Sequence, residues 1–285
     1  MTGHEPATAR TDHIDRTDRI DTSKPHPARV YDWFLGGKDN YPVDEELGKR
    51  ILGLDPVVKV GARANRRFMH RATRLLAQQG IRQFLDIGTG IPTEPNLHQI
   101  AQEVAPESRI VYADNDPIVL RHAEALLRSA PEGSTNYLQA DVREPERILK
   151  PAQEMLDFAE PVALSMVALM HFVSEDEDDA YGLVRRYLDA LAPGSYLVLT
   201  QLTPDVDPEA MAKVSASYRK GGTGLYPRTH AEVVRFFDGL ELLDPGVVSA
   251  PHWRPEPESD PDREPDQPAG GGLPVPMYVG VARKR

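Results

Sequence analysis

Short apolar runs alternate along the chain with segments in which hydrophobic residues recur about every three to four positions. An apolar run of a few residues is typical of a strand buried on both faces, whereas the longer period is typical of an amphipathic helix. The predicted strands lie at residues 83–87, 109–113, 136–139, 162–168 and 195–200, and the predicted helices between them at 94–104, 117–129, 144–150 and 176–191. This alternation predicts an α/β protein whose largely parallel sheet is covered by helices on both faces.

The N-terminal part of the domain, residues 28–80, has a helical pattern throughout. A short helix starts near Ala28 and ends at a double glycine, and two further helices are predicted at 44–53 and 57–79. The first helix and the turn after it carry the polar and aromatic residues Tyr31, Trp33, Asn40 and Tyr41. Aromatic residues serve packing and ligand contact equally well, so this region is interpreted either as a packing layer or as a lid over a pocket.

Two segments lack any periodic pattern that would bury them. Residues 1–27 are polar and contain an imperfect repeat, so a disordered tail is predicted, with order beginning near Ala28. Residues 251–276 are rich in proline, acids and glycine and predict a flexible loop within a single domain that runs from residue 28 to 285.

The later helices carry two start signals and lead to two more strands. Ser174-Glu-Asp-Glu177 and Thr229-His-Ala-Glu232 both have the capping-box pattern, in which a hydroxyl and a glutamate satisfy free amides at a helix N-terminus. Further helices are predicted at 207–219 and 229–238, and further strands at 240–248 and 277–283.

Charge and composition narrow the classes of partner. The net charge of −11 opposes attraction to nucleic-acid phosphates and to anionic membranes. The basic residues between Arg63 and Arg74 are interpreted as a solvated helix face in preference to a phosphate-binding face. The chain has no cysteine, which excludes disulfides and cysteine-ligated zinc, and no metal site is expected.

The sequence contains no signal-peptide pattern and no apolar run long enough to cross a membrane, so a cytoplasmic location is expected.

Three features fall where successive predicted strands end. Phe84-Leu-Asp-Ile-Gly-Thr-Gly90 places Asp86 before a Gly88-Thr89-Gly90 turn, whose bare backbone allows a ligand to approach. Asp114 ends the second strand, where an acid can accept hydrogen bonds from ribose hydroxyls. Asp141 follows the third strand and can accept from an adenine amine while Val142 packs on the base. Together these features predict a nucleoside site.

Two of these acids, Asp114 and Asp86, also have a structural interpretation. Asp114 lies just before Pro117 and would cap the helix that starts there. Asp86 would orient the glycine turn, or it would contact an ammonium group of the ligand directly.

The glycine spacing distinguishes between two kinds of cofactor. A dinucleotide site predicts Gly-x-Gly-x-x-Gly, in which the third glycine lets a helix approach the strand and face a pyrophosphate. Thr93 stands at that third position, and Pro92 and Pro95 stiffen the turn. A sulfonium ligand requires no pyrophosphate cradle, so the sequence favours S-adenosylmethionine over NAD.

These motifs resemble those of known enzymes. Asp86-x-Gly88-x-Gly90, Asp114 and the Asp141-Val142 pair are similar to the cofactor motifs of class I S-adenosylmethionine-dependent methyltransferases. The segments Arg29–Asn40, Phe84–Gly90, Tyr112–Pro117 and Phe236–Leu242 resemble a bacterial methyltransferase family long catalogued as a domain of unknown function.

The resemblance implies a Rossmann-like, seven-stranded sheet with an antiparallel last strand, and it implies S-adenosylmethionine as cofactor. By matching position, Gly88, Thr89 and Gly90 would line the methionine part, Asp114 and Asn115 the ribose and adenine, and Asp141 with Val142 the adenine. Tyr31 would reach the same pocket from the lid. Pro92 stands where the superfamily often has a glycine, and a proline has no amide to donate to the cofactor.

The acceptor side of the reaction is less well defined by the sequence. His171 follows the fourth strand and is the candidate catalytic base, although a histidine in a loop often serves only to fix the loop. Tyr31, Tyr41 and Tyr226 are further candidates for contact with the acceptor. We therefore predict methyl transfer to an unidentified acceptor, in the first place a small molecule and otherwise a protein. Two alternatives are a sensor that binds S-adenosylmethionine without turnover and an NAD-dependent oxidoreductase.

Overall fold

The computed structural model describes residues 21–119, 121, 129–255 and 274–285. Its helices are α1 (Pro27–Leu35), α2 (Pro42–Leu54), α3 (Val58–Gln78), α4 (Leu97–Val104), α5 (Pro145–Ala152), α6 (Glu175–Asp178), α7 (Ala180–Asp189), α8 (Pro208–Lys220) and α9 (His230–Val234). Its strands are β1 (Gln83–Ile87), β2 (Arg109–Asp114), β3 (Ser134–Gln139), β4 (Ala163–Met166), β5 (Tyr196–Leu202), β6 (Glu241–Leu242), β7 (Val248–Ser249) and β8 (Met277–Arg283). Three short 3₁₀ turns lie at Met170–Phe172, Arg235–Phe237 and Ala250–His252.

The strands form one mixed sheet in the order β3-β2-β1-β4-β5-β8-β6, with β7 also paired to β8. Strands β1 to β5 are parallel to their neighbours, and β8 is antiparallel to β5. The predicted sheet with an antiparallel last strand is thereby confirmed.

The two faces of the sheet carry separate cores because successive side chains of a strand point in opposite directions. In β1, Leu85 and Ile87 pack into a core shared with α5 and α7, whereas Phe84 packs into a core shared with α3 and α4. A smaller core joins α1 and α2 to α8. Helices therefore cover both faces, and a third helical layer lies over one end of the sheet.

Two predicted elements are interrupted in the structure. The helix expected at 176–191 breaks at Asp179, which has φ +51° and whose side chain accepts a hydrogen bond from the Gly182 amide to start α7. The strand expected at 240–248 is interrupted by a turn containing a cis Asp244–Pro245 bond, so that β6 and β7 pair separately with β8.

One of the two predicted capping boxes is complete. At Thr229, the hydroxyl and the Glu232 carboxylate satisfy each other's backbone amides. At Ser174 the hydroxyl accepts from the Glu177 amide, but the Ser174 amide donates to Asp178 at 3.0 Å instead of to Glu177. The last acid of the run, Asp178, therefore completes this cap.

Parts of three predictions lie outside the described residues: the tail at 1–20, part of the helix at 117–129, and residues 256–273 of the proline-rich loop. Residues 117–119 and 121 are helical. Of the predicted tail, residues 21–27 are described, and the His26 backbone amide donates to Asp44 at 2.8 Å. Within the described ranges, no helix combines the length and the apolar composition needed to cross a bilayer.

Candidate functional site

The glycine turn after β1 lies at the carboxyl edge of the parallel strands, as expected. Gly88 and Gly90 have φ of +72° and +68°, a region that L-residues rarely adopt. A Cβ at Gly88 would lie 2.6 Å from Leu169 Cδ1, so this glycine is required for close packing. A Cβ at Gly90 would have no heavy atom within 4 Å, so the space above Gly90 is open to a ligand.

Asp114, at the end of β2, ties the neighbouring turns together. Its Oδ2 accepts from the Gly90 amide at 2.8 Å, and its Oδ1 accepts from the Asp116 amide at 2.9 Å. Burial raises the pKa of Asp114, an effect that these amides and His26 partly oppose. The alternative interpretation of Asp114 as a helix cap was wrong, because Asp116 accepts from the Ile118 amide at 3.0 Å and fills that role.

Asp86 fixes the conformation of the same turn. Its Oδ2 accepts a hydrogen bond from the Thr89 hydroxyl at 2.7 Å. Burial raises the pKa of Asp86, and the hydroxyls of Ser165 and Thr89 and the charge of Arg66 partly oppose this. The Asp86 carboxylate thus orients the turn and lies near the positive charge of Arg66.

The residues after β2 and β3 meet at the same edge. Asn115 Nδ2 donates to Asp141 Oδ2 at 3.1 Å, and the Arg143 amide donates to Asp141 Oδ1 at 2.9 Å. The Arg143 guanidinium forms an ion pair with Asp178, with Nε 3.0 Å from Oδ1, and donates a hydrogen bond from Nη2 to the Phe172 carbonyl at 2.8 Å. Val142 is buried beside them. This group offers an amide, a carboxylate and an apolar surface next to one another.

The N-terminal helices contribute one of the four residues suggested for the lid. Tyr31 lines the cavity, and its hydroxyl donates to the Ala62 carbonyl at 2.9 Å and accepts from Asn65 Nδ2 at 2.8 Å. Trp33, Asn40 and Tyr41 do not line it. Trp33 instead packs under the Lys59 ammonium, 4.1 Å from its ring centroid.

Asn40 has a structural role in the turn after α1. Its amide nitrogen donates to Asp32 Oδ2 at 2.8 Å, and the Asp39 backbone amide donates to the same oxygen at 3.0 Å. The polar residues of this turn therefore shape the chain around Asp32.

Arg66 is a site residue that the sequence interpretation missed. The interpretation of residues 63–74 as a solvated face was wrong for Arg66, whose guanidinium lines the cavity and donates to the carbonyls of Thr93 and Pro95. Burial lowers the pKa of Arg66, while the nearby Tyr31 and Asp86 raise it. The helical periodicity could have indicated that Arg66 faces inwards, because it lies on α3 between the buried positions Asn65 and Met69.

His171 lies in the 3₁₀ turn after β4 and is 3% exposed. Burial and the nearby Arg228 guanidinium lower its pKa to about 3, so the imidazole is neutral near pH 7. Its Nδ1 has no hydrogen-bond partner among the described residues, and its ring packs against Phe172 with centroids 4.5 Å apart. A neutral imidazole with so low a pKa is a weak base but an effective hydrogen-bonding group.

The residues predicted to bind the cofactor, together with His171 and Tyr226, surround one cavity of about 480 Å³. Those predicted to bind the cofactor are Tyr31, Asp86, Gly88, Thr89, Gly90, Asp114, Asn115, Asp141 and Val142, and His171 lines the wall beyond them. Pro92 does not line the cavity, so its lack of a backbone N–H removes no hydrogen-bond donor from the cavity wall. Across the part of the chain that the structure covers, no cluster of three or more His, Asp or Glu residues is arranged to hold a metal ion.

Comparison with known proteins identifies the family of this chain. The sequence matches the family described as S-adenosyl methyltransferase over residues 13–285. A crystal structure of a DUF574-family protein from Streptomyces avermitilis is 49% identical, with a TM-score of 0.86, and the match covers 94% of this chain and 100% of that one.

A second crystal structure, of a candidate methyltransferase from Thermobifida fusca, is 41% identical, with a TM-score of 0.81; the match covers 93% of this chain and 97% of that one. None of the functionally curated proteins compared with the chain matches it. Because the family match spans nearly the whole sequence, the chain belongs to the S-adenosyl methyltransferase family.

Proposed function

We propose that the cavity at the carboxyl edge of the sheet binds S-adenosylmethionine and delivers its methyl group to a small-molecule acceptor. The observation that carries this proposal is the convergence of every motif residue on one cavity, with open space above Gly90. The cavity volume lies within the range of about 300–1,000 Å³ that is typical of small-molecule sites.

The adenosine end of the cofactor fits the residues after β2 and β3. Asp114 uses one lone pair of each carboxylate oxygen on a backbone amide, which leaves the others for the ribose hydroxyls. Asn115 and Asp141 are held side by side and present a donor and an acceptor to the adenine edge, and Val142 supplies an apolar surface for the ring.

The amino-acid end of the cofactor is a zwitterion, and the opposite wall presents the matching charges. Arg66 would pair with the carboxylate, because a guanidinium matches its geometry, and Asp86 would accept from the ammonium. Asn65 supports this placement: its Oδ1 is buried without a hydrogen-bond partner among the described residues, which a bound ammonium would supply.

When bound, S-adenosylmethionine supplies an electrophilic methyl group on a positively charged sulfur. The chain's contribution is to align the acceptor with that methyl group and to exclude water. His171, neutral and beyond the glycine turn, would accept or donate a hydrogen bond at the acceptor atom. We assign it this positioning role ahead of that of a general base, because an imidazole with a pKa of about 3 has little tendency to take up the proton that a general base must accept.

The N-terminal helices at 28–80 would act as the lid over this cavity, within a single domain that extends to residue 285. Tyr31 and Arg66 from these helices line the cavity together with the glycine turn. A bound substrate would therefore contact both the helices and the sheet and hold the helices against it. The net charge of −11 supports a partner that is neither nucleic acid nor an anionic membrane, and a cytoplasmic location is part of the same proposal.

Two measurements on the full chain test the proposal. Calorimetry should show saturable binding of S-adenosylhomocysteine, the product of methyl transfer, and a labelled methyl group should pass from S-adenosylmethionine to a component of a metabolite extract. Tight binding with no transfer across extracts would favour the sensor alternative instead. Binding of NAD in place of S-adenosylhomocysteine would favour the oxidoreductase, although no feature of the cavity supports either alternative.

A further inference from the structure

The cavity continues beyond the glycine turn into a region that we call the apolar end. It lies between α1, α2, α8 and the 3₁₀ turn after β4, and its walls include Phe34, Ile51, Val58, Phe172, Met211 and Val214. These side chains belong to the small core that joins the N-terminal helices to α8. The cofactor motifs account for none of them, so the apolar end is available to the second substrate.

Two polar groups interrupt this apolar surface at one place. His171 and Tyr218 both line the cavity, and Phe172 links them, since its ring centroid lies 4.5 Å from that of His171 and 5.6 Å from that of Tyr218. Among the described residues, His171 Nδ1 is buried without a hydrogen-bond partner, and the Tyr218 side chain is buried on the other side of Phe172. Buried polar groups are nearly always hydrogen-bonded, so the His171 Nδ1 fits a ligand that supplies the bond, with the Tyr218 hydroxyl as a second polar group.

The charges around the cavity exclude an anionic acceptor from the apolar end. Among the described residues lining the cavity, the arginines are Arg66 and Arg143, and both lie at the cofactor end, next to Asp86 and Asp141. The acid at the apolar end is Asp55, whose carboxylate accepts from the Val57 amide at 3.1 Å. The nearby Arg228 guanidinium does not line the cavity and donates instead to the Met170 and Val173 carbonyls. A carboxylate or phosphate placed in the apolar end would therefore lose its hydration without forming an ion pair.

We propose that the methyl acceptor is an uncharged, largely apolar small molecule of one or two rings, whose N–H or O–H group meets His171 and Tyr218 in the apolar end. This inference rests on the proposed function and names the acceptor class. The acceptor heteroatom forms a bond to the methyl carbon as the carbon–sulfur bond breaks. The electron pair of that bond stays on sulfur to give S-adenosylhomocysteine, and the proton of the acceptor leaves to water.

The test compares two probes of the same ring size, 2-naphthol and 2-naphthoate, on the full chain saturated with S-adenosylhomocysteine. Calorimetry should show 2-naphthol binding at least about tenfold more tightly than 2-naphthoate, because the ionised carboxylate loses hydration in the apolar end. Val214→Trp fills the apolar end and should remove 2-naphthol binding while leaving S-adenosylhomocysteine affinity unchanged. His171→Gln should weaken 2-naphthol but not naphthalene, which has no group to bond.

The matched control is Ala212→Trp, which places the same side chain on the exposed face of α8 and should change neither affinity. Equal affinity for the two probes, absence of 2-naphthol binding, or 2-naphthol binding that survives Val214→Trp would overturn the inference. If 2-naphthol binds as expected but S-adenosylhomocysteine does not bind the wild-type chain, the proposed function fails while the apolar site stands.

Discussion

Asp114 Oδ2 accepts a hydrogen bond from the Gly90 backbone amide at 2.8 Å, so the acid that ends the second strand closes the turn that follows the first. The other oxygen of the same carboxylate holds the Asp116 amide. One side chain therefore sets both loops against which the adenosine would lie, before any ligand is present.

Asp114→Ala should weaken both the fold and the site. Removal of the carboxylate leaves the buried Asp116 amide and the part-buried Gly90 amide without partners, and a buried group left unpaired costs about 1–3 kcal/mol. Urea denaturation should show the lower free energy of unfolding, and calorimetry should show S-adenosylhomocysteine binding weakened by about tenfold or more. Asp189→Ala, at an exposed position ending α7, is the control and should leave both values unchanged. Wild-type affinity in Asp114→Ala would remove this residue from the cofactor site.

The two glycines of the turn should respond differently to alanine. Both substitutions place an L-residue at positive φ, at a cost of about 1–2 kcal/mol. Gly88→Ala adds a clash with Leu169, whereas Gly90→Ala meets open space. We expect Gly88→Ala to lower the free energy of unfolding more, and Gly90→Ala mainly to weaken ligand binding.

A double-mutant cycle separates the clash at Gly88 from the backbone strain. In a Leu169→Ala background, Gly88→Ala should lose its extra cost and match Gly90→Ala in urea denaturation. Equal costs for Gly88→Ala in both backgrounds would show that Leu169 accommodates the added carbon.

Arg66→Gln should separate the two ends of the cofactor. Loss of the guanidinium should weaken S-adenosylhomocysteine by about tenfold, whereas methylthioadenosine, which lacks the amino and carboxylate groups, should bind as to the wild type. Arg63→Gln on the exposed side of the same helix is the control. If both ligands weakened equally, Arg66 would act by holding the loop at Thr93 and Pro95 instead of binding the carboxylate.

Stability should depend on pH through His171. Its folded pKa of about 3 lies below the ordinary value of 6.5, so below pH 6.5 the unfolded chain binds a proton that the folded chain does not. Stability from this group is therefore complete above pH 6.5 and is lost as the pH falls towards 3. Between pH 7 and pH 5 the wild type should lose about 2 kcal/mol more than His171→Gln.

The exposed His252 provides the control for this pH effect, because His252→Gln should show the same pH profile as the wild type. The His171→Gln variant should also transfer methyl groups more slowly with nearly unchanged cofactor affinity. If the stability of His171→Gln changed with pH in the same way as that of the wild type, the His171 imidazole would have an ordinary pKa in the folded chain.

Arg29 holds the first helix to the cofactor edge through buried charges. Its Nε lies 3.2 Å from Asp116 Oδ2 and its Nη1 lies 3.6 Å from Asp44 Oδ2. Arg29→Met should cost about 3–5 kcal/mol, because Asp44 stays buried without its arginine and, among the described residues, Asp116 Oδ2 keeps only the His26 ring, 3.1 Å away. Arg50→Met, which breaks an exposed pair with Glu46, should cost about 1 kcal/mol or less in the same denaturation assay. Similar costs for the two variants would show that the buried cluster contributes no more than a surface pair.

The sequence was sufficient to predict the sheet and the side of it that binds the ligand. Parallel strands covered on both faces are apolar almost throughout, so runs such as Phe84–Ile87 are distinct from the amphipathic helices between them. Because the carboxyl ends of such strands share one edge, Asp86, Asp114 and Asp141 were expected together, and they line one cavity.

Features that depend on contacts between distant segments could not be predicted. Arg66 resembles its exposed neighbours in the sequence, and only the packing of α3 against the loop at Thr93 directs it into the cavity. The break at Asp179 was hidden because acids are common both within helices and at their starts. The apolar end is built from α1, α2 and α8, whose hydrophobic residues have the same periodicity as any core-facing helix.

The position of β8 in the sheet has a consequence for synthesis on the ribosome. This strand follows the other described strands in the sequence, yet it lies inside the sheet and bonds to β5 on one side and to β6 and β7 on the other. During translation the outer edge of β5 must therefore remain unpaired until β8 has emerged. The sheet that supports the cofactor edge is completed only after β8 has been made, and the nascent protein presents an open strand edge to other chains until then.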